Sequence, residues 1–213
     1  MKVNEIFHSI QGESSWAGLP CVFVRLTGCN LRCSYCDTHY AYEEGEQRDI
    51  ADILEQVAGY DCSLVEITGG EPLLQKDTPL LIRALLDKGY RVLLETNGSL
   101  DIGAIDGRCH RIMDVKLPQS GAAAQNRLEN LQLLKKGDEL KFVIGSREDY
   151  DYADRVLKLI PLDIRGEIVI NFSPLFGMVE PRSLAGWILA DRLPVRLHLQ
   201  LHKLIWPADM RGV

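Results

Sequence analysis

Cys29, Cys33 and Cys36 fall within eight residues, spaced C-x3-C-x2-C, while Cys21, Cys62 and Cys109 stand alone. Thiolates are soft ligands that select zinc, copper(I) or iron–sulfur clusters. A closed structural zinc site needs four ligands, usually in two separated pairs, and the chain has no second CxxC. His39 is near enough in sequence to complete a small zinc loop, so that reading stays open. A cubane cluster is normally held by four cysteines, and three on one loop leave an iron without a protein ligand. An open coordination position is where a substrate or cofactor binds. The isolated cysteines read as reduced, buried small hydrophobes.

Other chemistry-bearing residues gather in short motifs: TGCN, TGGEP, ETNGS, DVKLP, INFSP and QLHK. Each falls just after a run rich in β-branched residues. The strand candidates are residues 21–27, 64–68, 91–96, 111–116, 139–144, 167–172 and 195–201. Between them, helical spacing of apolar residues predicts helices over 49–58, 79–88, 127–136, 148–160 and 181–192. The second is punctuated by Thr78 as N-cap, Pro79 in the first turn and Gly89 past the end. The charged stretch 43–49 reads as a solvated loop leading into the first helix.

Strand–helix repetition implies a mainly parallel sheet, which builds its sites at the carboxyl ends of the strands. A sheet covered on both faces has near-continuous apolar strands. Here one face is polar: Arg25, Glu66, Thr68, Glu95, Asn97, Asp114, Lys116, Asn171 and Ser173, with Arg196, His198, Gln200 and His202 alternating on the last strand. That pattern suits a sheet curved around a wet lumen. Seven strand candidates fall short of a complete eight-stranded barrel, so an incomplete TIM-like barrel of about six parallel strands is expected.

The 213 residues, with no internal repeat or linker, suit a single domain over 1–213. Charge is 24 Lys+Arg against 30 Asp+Glu, net −6, without the clustered basic face that nucleic-acid binding requires. No apolar run is long enough to span a membrane, and the first residues show no export signal, so a cytoplasmic protein is expected.

The C-x3-C-x2-C trio, with the aromatic Tyr35 before its last cysteine and with Gly69-Gly70-Glu71-Pro72 one strand later, resembles the radical S-adenosylmethionine (SAM) enzymes. Five blocks narrow the resemblance to the 7-carboxy-7-deazaguanine synthases: HSIQGESSWAGLPCVFVRLTGCNLRCSYCDT, ITGGEP, ETNGS, DVKLPQSG and FSPLFG…LHLQLHK. Ser14 departs from the family, which carries Gly after QGE. The resemblance implies a radical SAM core whose cluster loop, 28–38, holds a 4Fe-4S cluster on Cys29, Cys33 and Cys36. The open iron binds SAM, which yields a 5′-deoxyadenosyl radical. That radical takes hydrogen from C6 of 6-carboxy-5,6,7,8-tetrahydropterin, and ring contraction with loss of ammonia gives 7-carboxy-7-deazaguanine.

The same resemblance assigns SAM contacts to Tyr35, Asp37, Gly70, Glu71, Glu95, Asn97, Asp114, Lys116 and Ser173, and Mg2+ to Thr38. Substrate contacts fall to Ile10, Gln11, Gly12, Glu13, Arg25, Thr68 and His202. The planar guanidinium of Arg25 suits the pterin carboxylate. An internal Glu95–Lys116 salt bridge is an alternative use of that pair. The implied partners are an external flavodoxin- or ferredoxin-like electron donor and a second copy of the chain. Two other readings stay open here: a small glycyl-radical-enzyme activase, which shares the trio and GGEP, and a non-catalytic zinc or cluster carrier.

Overall fold

The computed structural model describes residues 1–208 and 210–213. Its order is β1 (Lys2–Ile10), β2 (Pro20–Leu26), β3 (Glu46–Gln47), α1 (Ile50–Ala58), β4 (Leu64–Gly69), α2 (Thr78–Asp87), β5 (Arg91–Thr96), β6 (His110–Asp114), β7 (Glu139–Ile144), α3 (Arg147–Leu157), β8 (Val169–Pro174), α4 (Pro181–Asp191), β9 (Arg196–Leu197) and α5 (His202–Ile205). One sheet runs β3-β1-β2-β4-β5-β6-β7-β8-β9. From β2 onward every pairing is parallel. Six of these parallel strands are substantial and β9 has two residues, which is the expected incomplete barrel.

The outer face is closed by helices. Val22, Val24, Ile67 and Leu94 pack with Ile53 and Val57 of α1 and Leu81, Ile82 and Leu85 of α2. Leu140, Phe142, Ile170 and Phe172 pack with Tyr150, Ala153 and Val156 of α3 and Leu184 of α4. Burial of such side chains, each contributing about 1.5–3 kcal/mol, stabilises the curved wall. On the inner face, Cys21, Phe23, Leu64, Leu93 and Ile112 form an apolar floor with Trp16 against it.

Four elements differ from the sequence expectations. The pattern search passed over β1, which is antiparallel to β2 with a bulge between Val3 and Glu5. The bulge breaks period-two alternation and leaves apolar residues at 3, 6, 7 and 10, a helical spacing. The helix expected over 127–136 is instead a run of 3-10 turns, Leu128–Leu133. There the buried Asn130 donates to the carbonyls of Gly98 (3.0 Å) and Leu100 (2.7 Å), so its side chain braces the β5–β6 loop. Thr78 is the first residue of α2 rather than its cap, and its hydroxyl donates to Pro72 O at 2.6 Å. The last strand ends at Leu197, and the chain then turns across the barrel mouth. Among the described residues no helix is long and apolar enough to cross a membrane.

Candidate functional site

The carboxyl ends of the parallel strands surround one cavity lined by residues from nearly every motif singled out above. Its cluster loop leaves β2 at Gly28, whose φ of +105° lies where glycine is favoured. The loop is pinned at several points. Gly28 N donates to Ala41 O (2.8 Å), Glu71 N to Gly28 O (2.7 Å) and Ser34 N to Ser120 O (3.0 Å). A Cβ on Gly70 would strike Gly28 O and stand 2.7 Å from Cys29 Cβ. The paired glycines of TGGEP therefore let β4 seat itself directly beneath the first cysteine.

Cys29, Cys33 and Cys36 carry free thiols and all line the cavity. Among the described residues no three His, Cys, Asp or Glu side chains are grouped to hold one metal ion. Zinc at about 2.3 Å from each sulfur would need such a group. A cubane presents a separate iron to each thiolate, so three thiols that line one cavity without converging on a single point fit a cluster. A second observation fits a ligand above it. Asp114 Oδ1 is buried without a hydrogen-bond partner among the described residues, although Oδ2 takes Lys116 Nζ at 2.8 Å.

Glu71 turns inward. It is fully buried and accepts from Leu73 N (3.0 Å), Thr96 Oγ1 (2.8 Å) and Asn97 N (2.7 Å). Its carboxylate shapes the rim and does not line the cavity, whereas Gly70 and Asn97 do. Ser173 is also off the lining: it is fully buried, 3.2 Å from His198 Nδ1. Neither the Glu71 nor the Ser173 side chain is exposed to the cavity. Tyr35, Asp37, Glu95, Asp114 and Lys116 all line the cavity.

Deeper in the lumen, charge is arranged around Lys141 of β7. Its Nζ pairs with Glu13 and, at 2.8 Å, with Glu95 Oε1. The proposed Glu95–Lys116 bridge is therefore replaced by Glu95–Lys141 and Asp114–Lys116. Burial alone would raise the Glu13 pKa, but Lys141, with help from His202 and Gln200, holds it well below the usual range. Arg25 is covered by β1, so β2 is not an edge strand. Its Nε donates to Glu5 Oε1 at 2.7 Å, and its guanidinium lies 5.7 Å from the Phe7 ring centre and 5.9 Å from that of Tyr40. Arg25 lines the cavity together with Thr68, whose hydroxyl donates to Glu95 Oε2 at 3.2 Å.

The loop after β1 carries Gln11, Gly12 and Glu13 into the cavity and is tied down behind them. Ser15 N and Oγ donate to the fully buried Glu139 at 3.0 and 2.6 Å. Ser14, in the glycine position, adopts φ +64° and keeps the turn, its Oγ accepting from Trp16 N at 3.2 Å. The tail covers this loop: Leu201 N donates to Gly12 O at 2.9 Å, and Gln200 bonds Glu13. A Cβ on Gly12 would collide with His202 Nδ1, so glycine lets α5 close on the loop. Lys203 Nζ pairs with Asp37 Oδ2 at 2.6 Å, and Thr38 Oγ1 donates to Asp37 Oδ1 at 3.0 Å. Asp37 is thus held at both oxygens, with the Thr38 hydroxyl beside it on the cavity wall. Met210, Gly212 and Val213 also reach the cavity.

Glu5 and Lys141 lie outside the motifs at the strand ends, whereas Glu66 falls on the polar face visible in the sequence. Glu139-Leu140-Lys141-Phe142 shows the same polar–apolar alternation as the other strands, and that signal places Lys141 in the lumen. Cys62, expected to be buried, is half-buried, with Sγ 3.4 Å from Pro20 O.

The radical SAM superfamily profile matches residues 23–118. The chain is 49% identical over 216 aligned residues to the 7-carboxy-7-deazaguanine synthase of Chlorobaculum tepidum, covering 100% of this chain and 97% of the relative. It is 42% identical to that of Koribacter versatilis, with 100% of both chains covered. The crystal structure of QueE from Escherichia coli shares the fold at a TM-score of 0.73, with 23% identity and 93% of each chain covered.

Proposed function

From membership of the radical SAM superfamily and, within it, of the 7-carboxy-7-deazaguanine synthase family, to which this chain belongs, we propose the work of each residue in the conversion of 6-carboxy-5,6,7,8-tetrahydropterin to 7-carboxy-7-deazaguanine and ammonia. The carrying observation is that three free cysteines, not four, stand at the mouth of a lumen furnished with an arginine and carboxylates. When bound, the 4Fe-4S cluster with SAM supplies a carbon radical able to take one hydrogen atom from the substrate.

Cys29, Cys33 and Cys36 hold the cluster, and Gly28 with Gly70 keeps their loop against β4. Tyr35, Asp37, Gly70, Asn97, Asp114 and Lys116 form the SAM wall, with the unpartnered Asp114 Oδ1 free to accept a donor from it. Glu71 serves that wall indirectly by fixing Asn97. Arg25 takes the substrate carboxylate with the edge that Glu5 leaves free, a charge-assisted contact. Ile10, Gln11, Gly12, Glu13, Thr68 and His202 orient the ring, and the tail excludes water above it. Thr38 offers its hydroxyl oxygen to Mg2+, with the substrate carboxylate and water completing the shell. Positioning one C–H bond against the radical is the protein's main contribution.

The free thiols suit a reducing compartment such as the cytoplasm; a flavodoxin- or ferredoxin-like electron donor and a homodimer are what the family resemblance implies. The test is incubation of anaerobically reconstituted, reduced protein with SAM, Mg2+ and 6-carboxytetrahydropterin, with mass detection of the product. Product formation is expected. Its absence, together with radical formation on a glycyl-radical partner polypeptide, would move the chain to the activases.

A further inference from the structure

Glu66 lies at the centre of β4, 3% exposed, and lines the lumen beneath Thr68. Its neighbours fix how it can bond. Gln11 Oε1 accepts from Glu13 N at 2.9 Å, which sets the amide orientation and turns the Gln11 NH2 group towards Glu66. That NH2 donates to Glu66 Oε2. Oε2 is therefore an acceptor, and Oε1, without a protein partner among the described residues, is the oxygen left to hold a proton. The charged groups around it are Glu13 on the loop after β1, Arg25 on β2, Glu95 on β5 and Lys141 on β7. Two of them are anions, Lys141 is shared between those two, and Arg25 is engaged by Glu5. A third carboxylate here would have no cation of its own. Burial first, then Glu95 and Glu13, push the Glu66 pKa well up against the opposing pull of Lys141 and Arg25.

We propose that Glu66 is a substrate-recognition residue acting as an uncharged carboxylic acid, its Oε1–H donating a hydrogen bond to the 4-oxo group of the pterin. The assignment rests on the pterin reading given above. A neutral carboxyl group held in a dry site is a strong donor to a carbonyl oxygen. Gln11 then has a second role: by occupying Oε2 it directs the proton to Oε1, so the pair presents one donor in one direction. A ring with a hydrogen-bond donor at that position would meet the Oε1–H head-on, which makes Glu66 a selector for the oxo form.

The test measures equilibrium binding of the unreactive oxidised analogue 6-carboxypterin, by calorimetry, to cluster-loaded, SAM-bound protein. Glu66→Gln keeps a donor in place of Oε1–H and is expected to bind within about threefold of wild type. Glu66→Leu removes it and is expected to weaken binding about tenfold or more, the effect of one lost buried hydrogen bond. An analogue lacking the 4-oxo group should lose a similar factor against wild type and nothing further against Glu66→Leu. If Glu66→Gln binds as poorly as Glu66→Leu, the residue works as a carboxylate and the proposal fails. It fails equally if Glu66→Leu binds like wild type. Should circular dichroism show that the Leu variant has lost its fold, Glu66→Gln and the 4-deoxy analogue decide the matter by themselves. Wild type that neither binds 6-carboxypterin nor turns over the tetrahydropterin would instead overturn the pterin reading itself, and this inference with it.

Discussion

Replacing Lys141 with Met removes the one cation that Glu13 and Glu95 share while keeping an unbranched side chain in place. The Lys141 side chain is 8% exposed, so water screens little of the loss. Breaking a buried pair from one side costs about 3–5 kcal/mol, because the partner charge is left uncompensated. The pH dependence has a definite sign. In wild type, Glu13 is held below its ordinary value of 4.5, so its contribution is complete above pH 4.5 and fades only as pH falls further. Lys141 is raised above 10.5, so its contribution is complete below pH 10.5. Between those limits wild-type stability from the pair is flat. In Lys141→Met, Glu13 loses the charge that holds its pKa down, so burial raises it, and protonation on acidification relieves the uncompensated charge. Urea unfolding of cluster-loaded protein should therefore show a loss of about 3–5 kcal/mol at pH 8 that shrinks towards pH 5. A loss below about 1 kcal/mol at pH 8, or one that does not change with pH, would refute the charge arrangement.

Three further outcomes follow from the site. Anaerobic reconstitution should give about four irons per chain and brown absorbance, both lost in Cys33→Ala; a colourless zinc-loaded protein that keeps SAM binding would sink the cluster assignment. Gly70→Ala forces a methyl group into Gly28 O and the Cys29 side chain, so iron content should fall sharply while circular dichroism stays near wild type; full iron loading would show that the loop has slack. Arg25→Ala should raise the substrate KM by about tenfold to a hundredfold, as loss of a charge-assisted contact does, while SAM affinity is largely kept; equal loss of both would make Arg25 structural.

The sequence was most informative where function restricts residue choice at a strand end. The cysteine spacing, TGGEP and the DVKLP turn all meet at one cavity, because parallel strands deliver their carboxyl ends to the same rim. Positions inside strands were harder to read. Lys141 and Glu66 sit mid-strand, where local alternation marks the inner face but the charges that meet there depend on how the neighbouring strands align. Glu5 was hidden by the bulge that disguised β1 as helical spacing. The last polar–apolar run, 195–201, reads as a strand, yet only Arg196–Leu197 pairs with β8. The residues after it bond to Gly12 and Glu13 instead, a long-range preference that local pattern does not carry. Glu71 shows the converse: its motif was legible, but the inward turn of its carboxylate depends on Thr96 and Asn97, some 25 residues away.

The central claim is that this cavity sets C6 of a carboxytetrahydropterin against the radical that SAM supplies. Substrate deuterated at C6 tests it most directly, with mass analysis of both the product and the SAM recovered after turnover under reducing, anaerobic conditions. The account predicts 7-carboxy-7-deazaguanine in excess of the SAM supplied, with deuterium appearing in the recovered SAM. Product that forms while recovered SAM stays unlabelled, or no product from iron-loaded protein, would contradict it.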